Sequence, residues 1–416
     1  MLCKPKMCGR EIDFIKEALA EDWAVPLGPD VSAFESELKV FLGAQELAES
    51  FGNRELVALD SGTSAMHMAL RACGVEAGDE VLVQSFTFCA SCNPVVYLGA
   101  KPVFVDSERA TWNIDPDLLE EAIKDRIAKT GRKPKAIIPV ALYGMPYDIA
   151  RILAVAEKYD IPVVEDAAEA FGSRYKGQHL GTFGRFGVLS FNGNKMITTS
   201  GGGAVICPDR ETKDRIIWYA TQARESFPYY QHEEIGYNYR LSNISACIGR
   251  GQLTVVNDYI AHHKHVQELY CELLKDVKGI TMHCNPGAEY DSNFWLCTAT
   301  LDPELKIKGQ ENAYKQVITG AVGGAAGVTH AAKSATTDCQ PNANVEALRV
   351  ALDAANIEAR PLWKPMHKQP VYKDAPAYTN GVSEALFAVG ICLPAGPYVS
   401  DDDVRYIVDA IKAALA

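Results

Sequence analysis

The chain of 416 residues is 48% hydrophobic and 23% charged, and its formal net charge at pH 7 is −12. This length predicts more than one hydrophobic core, and the acidic balance argues against a general nucleic-acid surface, which needs clustered Lys and Arg. No uninterrupted apolar run is long enough for a membrane span, and the first residues do not form an apolar leader. We therefore expect a cytoplasmic protein that binds neither nucleic acid nor a membrane.

From about residue 55 to 210, strand-like segments alternate with helix-like segments. The strand-like segments are LVALDSG, EVLVQSF, KPVFVD, KAIIPVAL, PVVEDAA and GVLSFN. The helix-like segments are TSAMHMALRACG, CASCNPVVYLG, PDLLEEAIKDRI and residues 148–158. Because the strands are apolar with little alternation, both faces should be covered by helices. This predicts an α/β fold with a mostly parallel, doubly wound sheet and functional groups at the C-terminal ends of its strands.

The rest of the chain predicts a smaller C-terminal domain over residues 258–416. A long helix, YIAHHKHVQELYCELLKDV, leads into it, and a helix with an acidic first turn, SDDDVRYIVDAIKAALA, closes it. Residues 306–344 are rich in Gly, Ala and Thr without a strong period, which predicts an inserted loop. Upstream, we expect an N-terminal helix and substrate loop over residues 1–30 and a large domain over residues 31–257.

The twelve cysteines are scattered among core-like segments. Without a secretory signal, this pattern predicts free, buried thiols in a reducing compartment. Cys89 and Cys92 form a CxxC motif, but no second pair follows at zinc-site spacing. No metal site is predicted.

Two residues carry the chemistry that pyridoxal phosphate (PLP) needs. Asp166 ends the strand-like segment VVED, and Lys195 follows about thirty residues later in FNGNKMITTSGGG. A carboxylate that stays ionised against the pyridine nitrogen keeps the ring an electron sink, and a lysine forms the imine and then moves protons. The alternative interpretation is an Asp that caps a helix and a solvated loop Lys.

A phosphate and a ring would need further groups. Gly62, Thr63 and Ser64 stand where a helix begins after a strand, and Ser190 offers another hydroxyl; backbone amides and hydroxyls at a helix N-terminus bind phosphate. The alternative is an ordinary helix cap. Phe88, at a strand-to-helix junction, could stack on a pyridine ring, although an aromatic residue in an apolar run is also typical of a core.

Ordered blocks of the sequence resemble the DegT/DnrJ/StrS sugar aminotransferases, which are PLP enzymes of fold type I. These blocks are LGPDVSAFE, SGTSAMHMAL, FTFCASCNPVVYLGAKPVFVD, PVALYGMPYD, VEDAAEAFG, SFNGNKMITTSGGG, GYNYRLSNISACIGRGQL and ARPLWKPMH. The resemblance implies that Lys195 carries the cofactor as a Schiff base and that Asp166 partners the pyridine nitrogen. It further implies that Glu169 contacts the ring hydroxyl and that Phe88 stacks on the ring.

The resemblance also assigns the phosphate contacts and a partner. Thr63 and Ser190 match phosphate-binding positions, with the backbone at Gly62 and Ser64 nearby. Asn238 matches a residue that reaches the phosphate from the neighbouring subunit, which implies an obligate homodimer with two shared sites. From the residues alone, Asn238 reads as a turn residue.

The finer resemblance is to enzymes that make UDP-4-amino sugars in bacillosamine-type pathways. Those enzymes act on UDP-2-acetamido-2,6-dideoxy-4-keto-hexose with L-glutamate as the donor. A nucleotide diphosphate needs fixed cations and donors. The candidate substrate residues are Arg360, Trp363, Lys364 and His367, with Leu27 and Gly28 in a loop over the site. A surface charge cluster with a core Trp is the alternative.

Three other functions stay open from the sequence. The first is a 3-amino-sugar or dTDP-sugar aminotransferase, and the second is a PLP-binding regulatory protein without turnover. The third is a nicotinamide-dependent oxidoreductase, but no GxGxxG follows the first strand. One departure from the family pattern is Gln84, where many relatives have Pro; we expect it to change the geometry of the strand end rather than the chemistry.

Overall fold

The computed structural model describes residues 2–43, 52–314 and 339–416. Within these ranges the α-helices are α1 (Arg10–Ala20), α2 (Pro29–Phe41), α3 (Gly62–Ala72), α4 (Asn93–Tyr97), α5 (Pro116–Thr130), α6 (Ile149–Lys158), α7 (Arg210–Ala220), α8 (Asn243–Leu253), α9 (Val256–Leu274), α10 (Ala343–Ala354), α11 (Val382–Val389) and α12 (Asp401–Ala414). The predicted insertion at 306–344 falls largely on residues 315–338, which lie outside the described ranges.

The strands of the same ranges are β1 (Glu55–Leu59), β2 (Glu80–Gln84), β3 (Lys101–Val105), β4 (Ala136–Ile138), β5 (Val164–Asp166), β6 (Arg174–Tyr175), β7 (Gln178–His179), β8 (Phe186–Ser190), β9 (Gly203–Cys207), β10 (Ile280–Met282), β11 (Tyr290–Asp291), β12 (Cys297–Leu301), β13 (Arg360–Pro361), β14 (Ala377–Tyr378) and β15 (Gly390–Leu393).

The large sheet runs β14-β3-β2-β4 and continues through β5-β8-β9-β1. Parallel bridges from Ile137 to Val163 and from Val140 to Asp166 join the two halves. Each neighbouring pair from β14 to β8 is parallel, whereas β9 runs antiparallel to both β8 and β1. The predicted α/β fold with a mostly parallel sheet is confirmed.

Successive residues of the central strands enter cores on opposite faces of the large sheet. Val188 of β8 belongs to one hydrophobic cluster and Leu189 to the other, and the same holds for Val205 and Ala204 of β9. Since strand side chains alternate between faces, a strand covered on both faces must be apolar throughout. This is why the strand segments show so little alternation in the sequence.

A second sheet, β10-β12-β15-β13, is antiparallel and lies in the C-terminal part of the chain. Helices α9, α10 and α12 pack on it through a separate cluster that includes Tyr270, Leu348 and Ile407. The chain also returns to the large sheet, because β14 pairs with β3. The domain boundaries after residues 30 and 257 stay predictions.

Two local expectations differ from the structure. The segment CASCNPVVYLG splits into a 3₁₀ turn at Cys89–Ser91 and the short helix α4, because Pro94 cannot extend a helix from the preceding turn. The cysteines are free as predicted, but only seven of the twelve are buried: Cys284 is exposed, and Cys8, Cys73, Cys89 and Cys271 are half-buried. Among the described helices, none is both long and apolar enough to cross a bilayer.

Candidate active site

Asp166 ends β5 with a buried carboxylate at the edge where the parallel strands finish. Its Oδ2 accepts a 2.6 Å hydrogen bond from Ser91 Oγ, and its Oδ1 accepts one of 3.1 Å from the Ala168 amide. Burial raises the pKa of Asp166, while the Ser91 hydrogen bond and the charge of Lys195 lower it in part. A nearby cation is what such a carboxylate needs in order to stay ionised.

Lys195 lies in the loop between β8 and β9 and reaches the same edge. Its Nζ is 3.4 Å from Glu169 Oε1 and 4.1 Å from the centroid of the Trp295 ring. Only 14% of the Lys195 side chain is exposed, so its ammonium is paired in a largely dry setting. The structure therefore brings Lys195, Asp166 and Glu169 together as the sequence predicts.

Glu169 is fixed from the opposite side by a tight turn. Its Oε2 accepts a 2.7 Å hydrogen bond from the Tyr143 amide, and Tyr143 adopts a left-handed φ of 57°. The next residue, Gly144, also has positive φ, and a Cβ there would collide with the Asn293 side chain. Burial raises the pKa of Glu169, and the Lys195 charge opposes this shift.

The start of α3 meets the end of β8 beside this cluster. A Cβ on Gly62 would lie 3.0 Å from Ser190 Cβ and 3.2 Å from Ser190 Oγ, so a larger residue would crowd the Ser190 side chain. Ser61 Oγ caps the helix by accepting from the Ser64 amide, so the ordinary helix cap that was the alternative interpretation is present here. The first-turn amides of a helix have no partners within the helix, and here they stand beside the Ser190 hydroxyl.

Aromatic side chains line the approach from solvent. Phe88 is 57% exposed, so it is not a core residue, and its ring centroid is 6.5 Å from that of Trp363. The Trp363 amide donates to Tyr143 Oη at 2.8 Å, which ties this segment to the turn that holds Glu169. Trp363 Nε1 is buried and has no hydrogen-bond partner among the described residues.

The predicted substrate residues of the 360–367 segment are held by internal contacts. Arg360 pairs with Glu358 at 2.6 Å, and the imidazole of His367 contacts Ser85 Oγ through Nδ1 at 2.6 Å and Glu384 through Nε2 at 3.1 Å. Lys364 follows Trp363 directly and is half-buried. The segment thus lies against the end of β2, beside the aromatic side chains.

The remaining predicted residues lie at different places. Leu27 is 55% exposed, and Gly28 packs so closely on Asn243 that a Cβ would collide with its side chain. Asn243 Oδ1 accepts from the Asp30 amide at the start of α2, which anchors this loop. Asn238 is exposed and forms a bridge with Thr221. Asn238 makes no contact with Lys195 or Asp166 in the described chain.

Sequence reasoning missed three contributors. Ser91 donates to Asp166, Trp295 lies against Lys195 and donates from Nε1 to the Asn194 carbonyl at 2.6 Å, and Tyr143 holds Glu169. Ser91 follows the Phe88 junction and could have been found as a hydroxyl near a strand end. Trp295 comes from a segment about 100 residues away, and no local pattern marks it.

Gln84 explains how the strand end is shaped. Its Oε1 accepts from the Ile114 amide at 2.8 Å and from the Val140 amide at 3.2 Å, and its Nε2 donates to the Phe86 carbonyl and to Asn113 Oδ1. The buried amide therefore joins the ends of β2 and β4 to the 113 loop. This agrees with an effect on geometry, since these contacts do not include Lys195 or Asp166.

Comparisons with known proteins decide the family. The model of the DegT/DnrJ/EryC1/StrS aminotransferase family matches residues 5–325 and 310–412. The chain belongs to this family. It is 40% identical over 414 residues to EpsN of Bacillus subtilis strain 168, which is named a pyridoxal phosphate-dependent aminotransferase, covering 99% of this chain and 94% of EpsN.

Two further relatives agree with this assignment. The chain is 32% identical over 409 residues to GDP-perosamine synthase of Escherichia coli O157:H7, covering 98% of this chain and 96% of that one. The crystal structure of a DegT DnrJ EryC1 StrS aminotransferase from Brucella abortus superposes with a TM-score of 0.80 at 28% identity, covering 97% and 95% of the two chains. The protein is a PLP-dependent sugar aminotransferase.

The residues at the sheet edge fit this cofactor. A positively charged ring nitrogen would supply a second cation to Asp166, whose burial raises its pKa. The first turn of α3 and the Ser190 hydroxyl offer phosphate donors, and the exposed face of Phe88 offers a stacking surface. No group of three or more His, Cys, Asp or Glu that could hold a metal ion occurs in the parts of the chain that the structure describes.

Proposed function

We propose that this aminotransferase moves the amino group of L-glutamate to the C4 ketone of a UDP-linked 4-keto-6-deoxy-N-acetyl sugar, giving a 4-amino sugar and 2-oxoglutarate. The observation that carries the proposal is the placement of Lys195 Nζ, 3.4 Å from Glu169 and 4.1 Å from the Trp295 ring, beside the buried Asp166. A lysine that is both an attachment point and a proton carrier is what transamination requires.

In this proposal, bound PLP supplies an aldehyde that bonds to amines and a ring that accepts electron density from the adjacent carbon. Lys195 is the covalent attachment point, and its freed amine moves a proton away from the glutamate Cα. In the second half of the cycle the same amine delivers a proton at the sugar C4. Asp166 stays ionised and holds the ring nitrogen protonated, and Ser91 keeps that carboxylate oriented.

The other side chains position the cofactor. Glu169 orients the Lys195 amine and contacts the ring hydroxyl, and Phe88 covers the ring face. The backbone of Gly62 and Ser64, with the hydroxyls of Thr63 and Ser190, binds the phosphate at the start of α3, where the helix dipole favours an anion. Gly62 supports this role, because the absence of a Cβ lets the start of α3 lie close to Ser190 without crowding it.

On the substrate side, we assign Trp363 to an apolar face of the sugar or base. Its buried Nε1 is left without a partner among the described residues, so a ligand oxygen there would be favourable. Lys364 supplies positive charge for the diphosphate, and Arg360 would join it by exchanging its contact with Glu358 for a phosphate oxygen, with Leu27 and Gly28 in the covering loop. His367 joins Ser85 to Glu384, so its first effect is to hold this segment in place.

A second candidate carrier is GDP. It is favoured by the 32% identical relative named GDP-perosamine synthase, whereas the UDP carrier is supported by the resemblance of FNGNKMITTSGGG and ARPLWKPMH to the bacillosamine-type enzymes. A substrate panel separates these candidates. The enzyme and L-glutamate are incubated with UDP-, dTDP- and GDP-linked 3-keto and 4-keto sugars, and mass spectrometry identifies the products. Product from GDP sugars alone would overturn the UDP proposal.

The amino donor is tested by absorbance. Adding L-glutamate to the PLP-loaded enzyme should collapse the visible band of the lysine-bound cofactor and release 2-oxoglutarate, and Lys195→Ala should lose this response. If the band persists with glutamate but collapses with another amino acid, that amino acid is the donor instead of glutamate. A band that persists with every donor would favour a binding protein without turnover and overturn the proposed chemistry.

We also propose that the enzyme is a cytoplasmic homodimer in which Asn238 completes the partner's site. Asn238 is exposed in the single chain, and the same stretch exposes Phe227, Tyr230 (78% exposed) and Ile235 (82% exposed), an apolar surface suited to a partner. If sites are shared, mixing inactive Lys195→Ala and Asn238→Ala dimers and allowing exchange should restore about a quarter of wild-type activity, because half the dimers regain one complete site. No recovery after demonstrated exchange would contradict the assignment.

A further inference from the structure

Two thiols lie close together where α9 passes the end of β10. Cys271, near the end of α9, and Cys284, two residues beyond β10, place their Sγ atoms 3.4 Å apart. Cys284 is exposed and Cys271 is half-buried, so the pair is open to solvent. The contact is unlike the CxxC pair, whose Cys92 thiol is buried and has a strongly raised pKa.

A buried amide is directed at both sulfurs. Gln267, one helical turn before Cys271, is 2% exposed, and its Nε2 donates to the His283 carbonyl at 2.9 Å. The same nitrogen is 3.5 Å from Cys271 Sγ and 3.8 Å from Cys284 Sγ. N–H donors aimed at sulfur favour the thiolate over the thiol, and the thiolate is the reactive form.

The hydrogen bond between the two thiols shifts their pKa values in opposite directions. The Cys271 thiol lowers the pKa of Cys284 to about 6, and the same interaction raises the pKa of Cys271. Burial acts in the opposite sense elsewhere, and it raises the pKa of Cys73 and of Cys207 to about 12. Cys284 is exposed whereas Cys271 is half-buried, so Cys284 meets an oxidant first and is the attacking thiol, and Cys271 is the resolving one.

We propose that Cys271 and Cys284 form a modification site, a dithiol that oxidises reversibly to an intrachain disulfide while the other cysteines of the chain stay reduced. The oxidant is a low-molecular-weight disulfide of the glutathione class. The Cys284 thiolate attacks one of its sulfurs, forming a mixed disulfide and expelling one small thiolate. Cys271 then attacks Cys284 Sγ and expels the second.

The electrons and protons balance in these two steps. The protein loses two electrons, and the small disulfide gains them as it becomes two thiols. The two cysteine protons end on the released thiols. Closing the bond requires the sulfurs to approach from 3.4 Å to about 2.05 Å.

The test uses the PLP-loaded enzyme in glutathione buffers of increasing oxidised fraction. Acid quenching, alkylation with N-ethylmaleimide and tryptic mapping identify the oxidised thiols. We expect a Cys271–Cys284 crosslink before any other cysteine reacts, and its loss on adding dithiothreitol. Fragmentation must separate Cys284 from Cys297, because both lie in one tryptic peptide.

Two variants and a control make the roles testable. In Cys271→Ser, Cys284 should accumulate a single glutathione adduct, because no resolving thiol remains; in Cys284→Ser, Cys271 should stay unmodified. Cys8→Ser, at a half-buried thiol elsewhere, should leave the crosslink unchanged. A stable glutathione adduct on wild-type Cys284, or equal oxidation of Cys8 and Cys73, would overturn the proposal.

A second readout does not depend on the oxidant. The pH at which Cys284 alkylation is half-maximal should lie below the ordinary thiol range in the wild type, because Cys271 and Gln267 donate to its sulfur. In Cys271→Ala the midpoint should rise toward the ordinary thiol range of about 8.5, because the donor is lost. An unchanged midpoint would show that Cys271 does not activate Cys284.

Discussion

The two carboxylates that end β5 are neighbours in sequence and serve opposite faces of the sheet. Glu165 is fully occupied: Tyr147 Oη and the Gly181 amide donate to Oε2, while the Phe183 and Gly184 amides donate to Oε1. Within the described ranges, the donors to the Asp166 carboxylate are Ser91 and Ala168. Burial raises the pKa of both groups.

This difference is the one we expect between a structural carboxylate and a carboxylate that acts on the cofactor. The Glu165 oxygens accept all these hydrogen bonds from the chain itself, so Glu165 fixes the 181–184 turn. Asp166 has carboxylate lone pairs that accept no hydrogen bond from the described residues. Apart from Lys195, a cation that pairs with them would come from a bound group. Both carboxylates are buried, so burial does not separate their roles, whereas the number of internal donors does.

The largest expected effect is that of Asp166→Asn on turnover. The amide keeps the shape but cannot hold a protonated ring nitrogen by charge, so kcat should fall by about 100- to 1,000-fold. Steady-state transamination of a keto sugar measures the loss, and thermal unfolding should change little. Near-native kcat would mean that Asp166 is structural, like its neighbour.

Glu165→Gln should show the reverse pattern. The amide nitrogen would face backbone N–H donors that have no other acceptor, so the free energy of unfolding should fall by about 2–4 kcal/mol. Denaturant titration measures this loss, and kcat of the folded fraction should stay within about threefold of wild type. A kcat loss as large as that of Asp166→Asn would contradict the division between the two faces.

A matched pair of hydroxyl deletions sharpens the comparison. Ser91→Ala removes a donor to Asp166 and should lower kcat about tenfold, the equivalent of one charge-assisted hydrogen bond. Tyr147→Phe removes a donor to Glu165 and should lower the unfolding free energy by about 1–3 kcal/mol with kcat unchanged. Steady-state kinetics and denaturant titration on both variants measure the two losses. If Tyr147→Phe lowered kcat and left the unfolding free energy unchanged, the division of roles between Glu165 and Asp166 would be wrong.

The smallest expected effect is at Trp295, whose ring lies over Lys195. Trp295→Leu removes the ring over the Lys195 ammonium, a contact of about 0.5–1 kcal/mol, so kcat should fall about two- to fivefold. Trp295→Phe keeps a ring and should lose less. Equal losses in both variants would show that the Nε1 bond to Asn194, rather than the ring, is what matters.

The sequence by itself determined the architecture and the cofactor. Strand and helix periods are local, so the alternation over residues 55–210 was sufficient to predict the mostly parallel sheet. Asp166 and Lys195 follow strands, and parallel strands bring their carboxyl ends to one edge. The family motifs around Lys195 also predict the reaction class, because each motif is a short contiguous block of the sequence.

Only the tertiary structure decided which groups share each site. Nothing local distinguishes Glu165 from Asp166, because their difference lies in donors from residues 91, 147 and 181–184. Trp295 reaches Lys195, and Cys284 reaches Cys271, through the packing of distant segments. A single sequence encodes such contacts only through the whole fold, so side-chain partners, and the pKa directions that follow from them, became readable only in three dimensions.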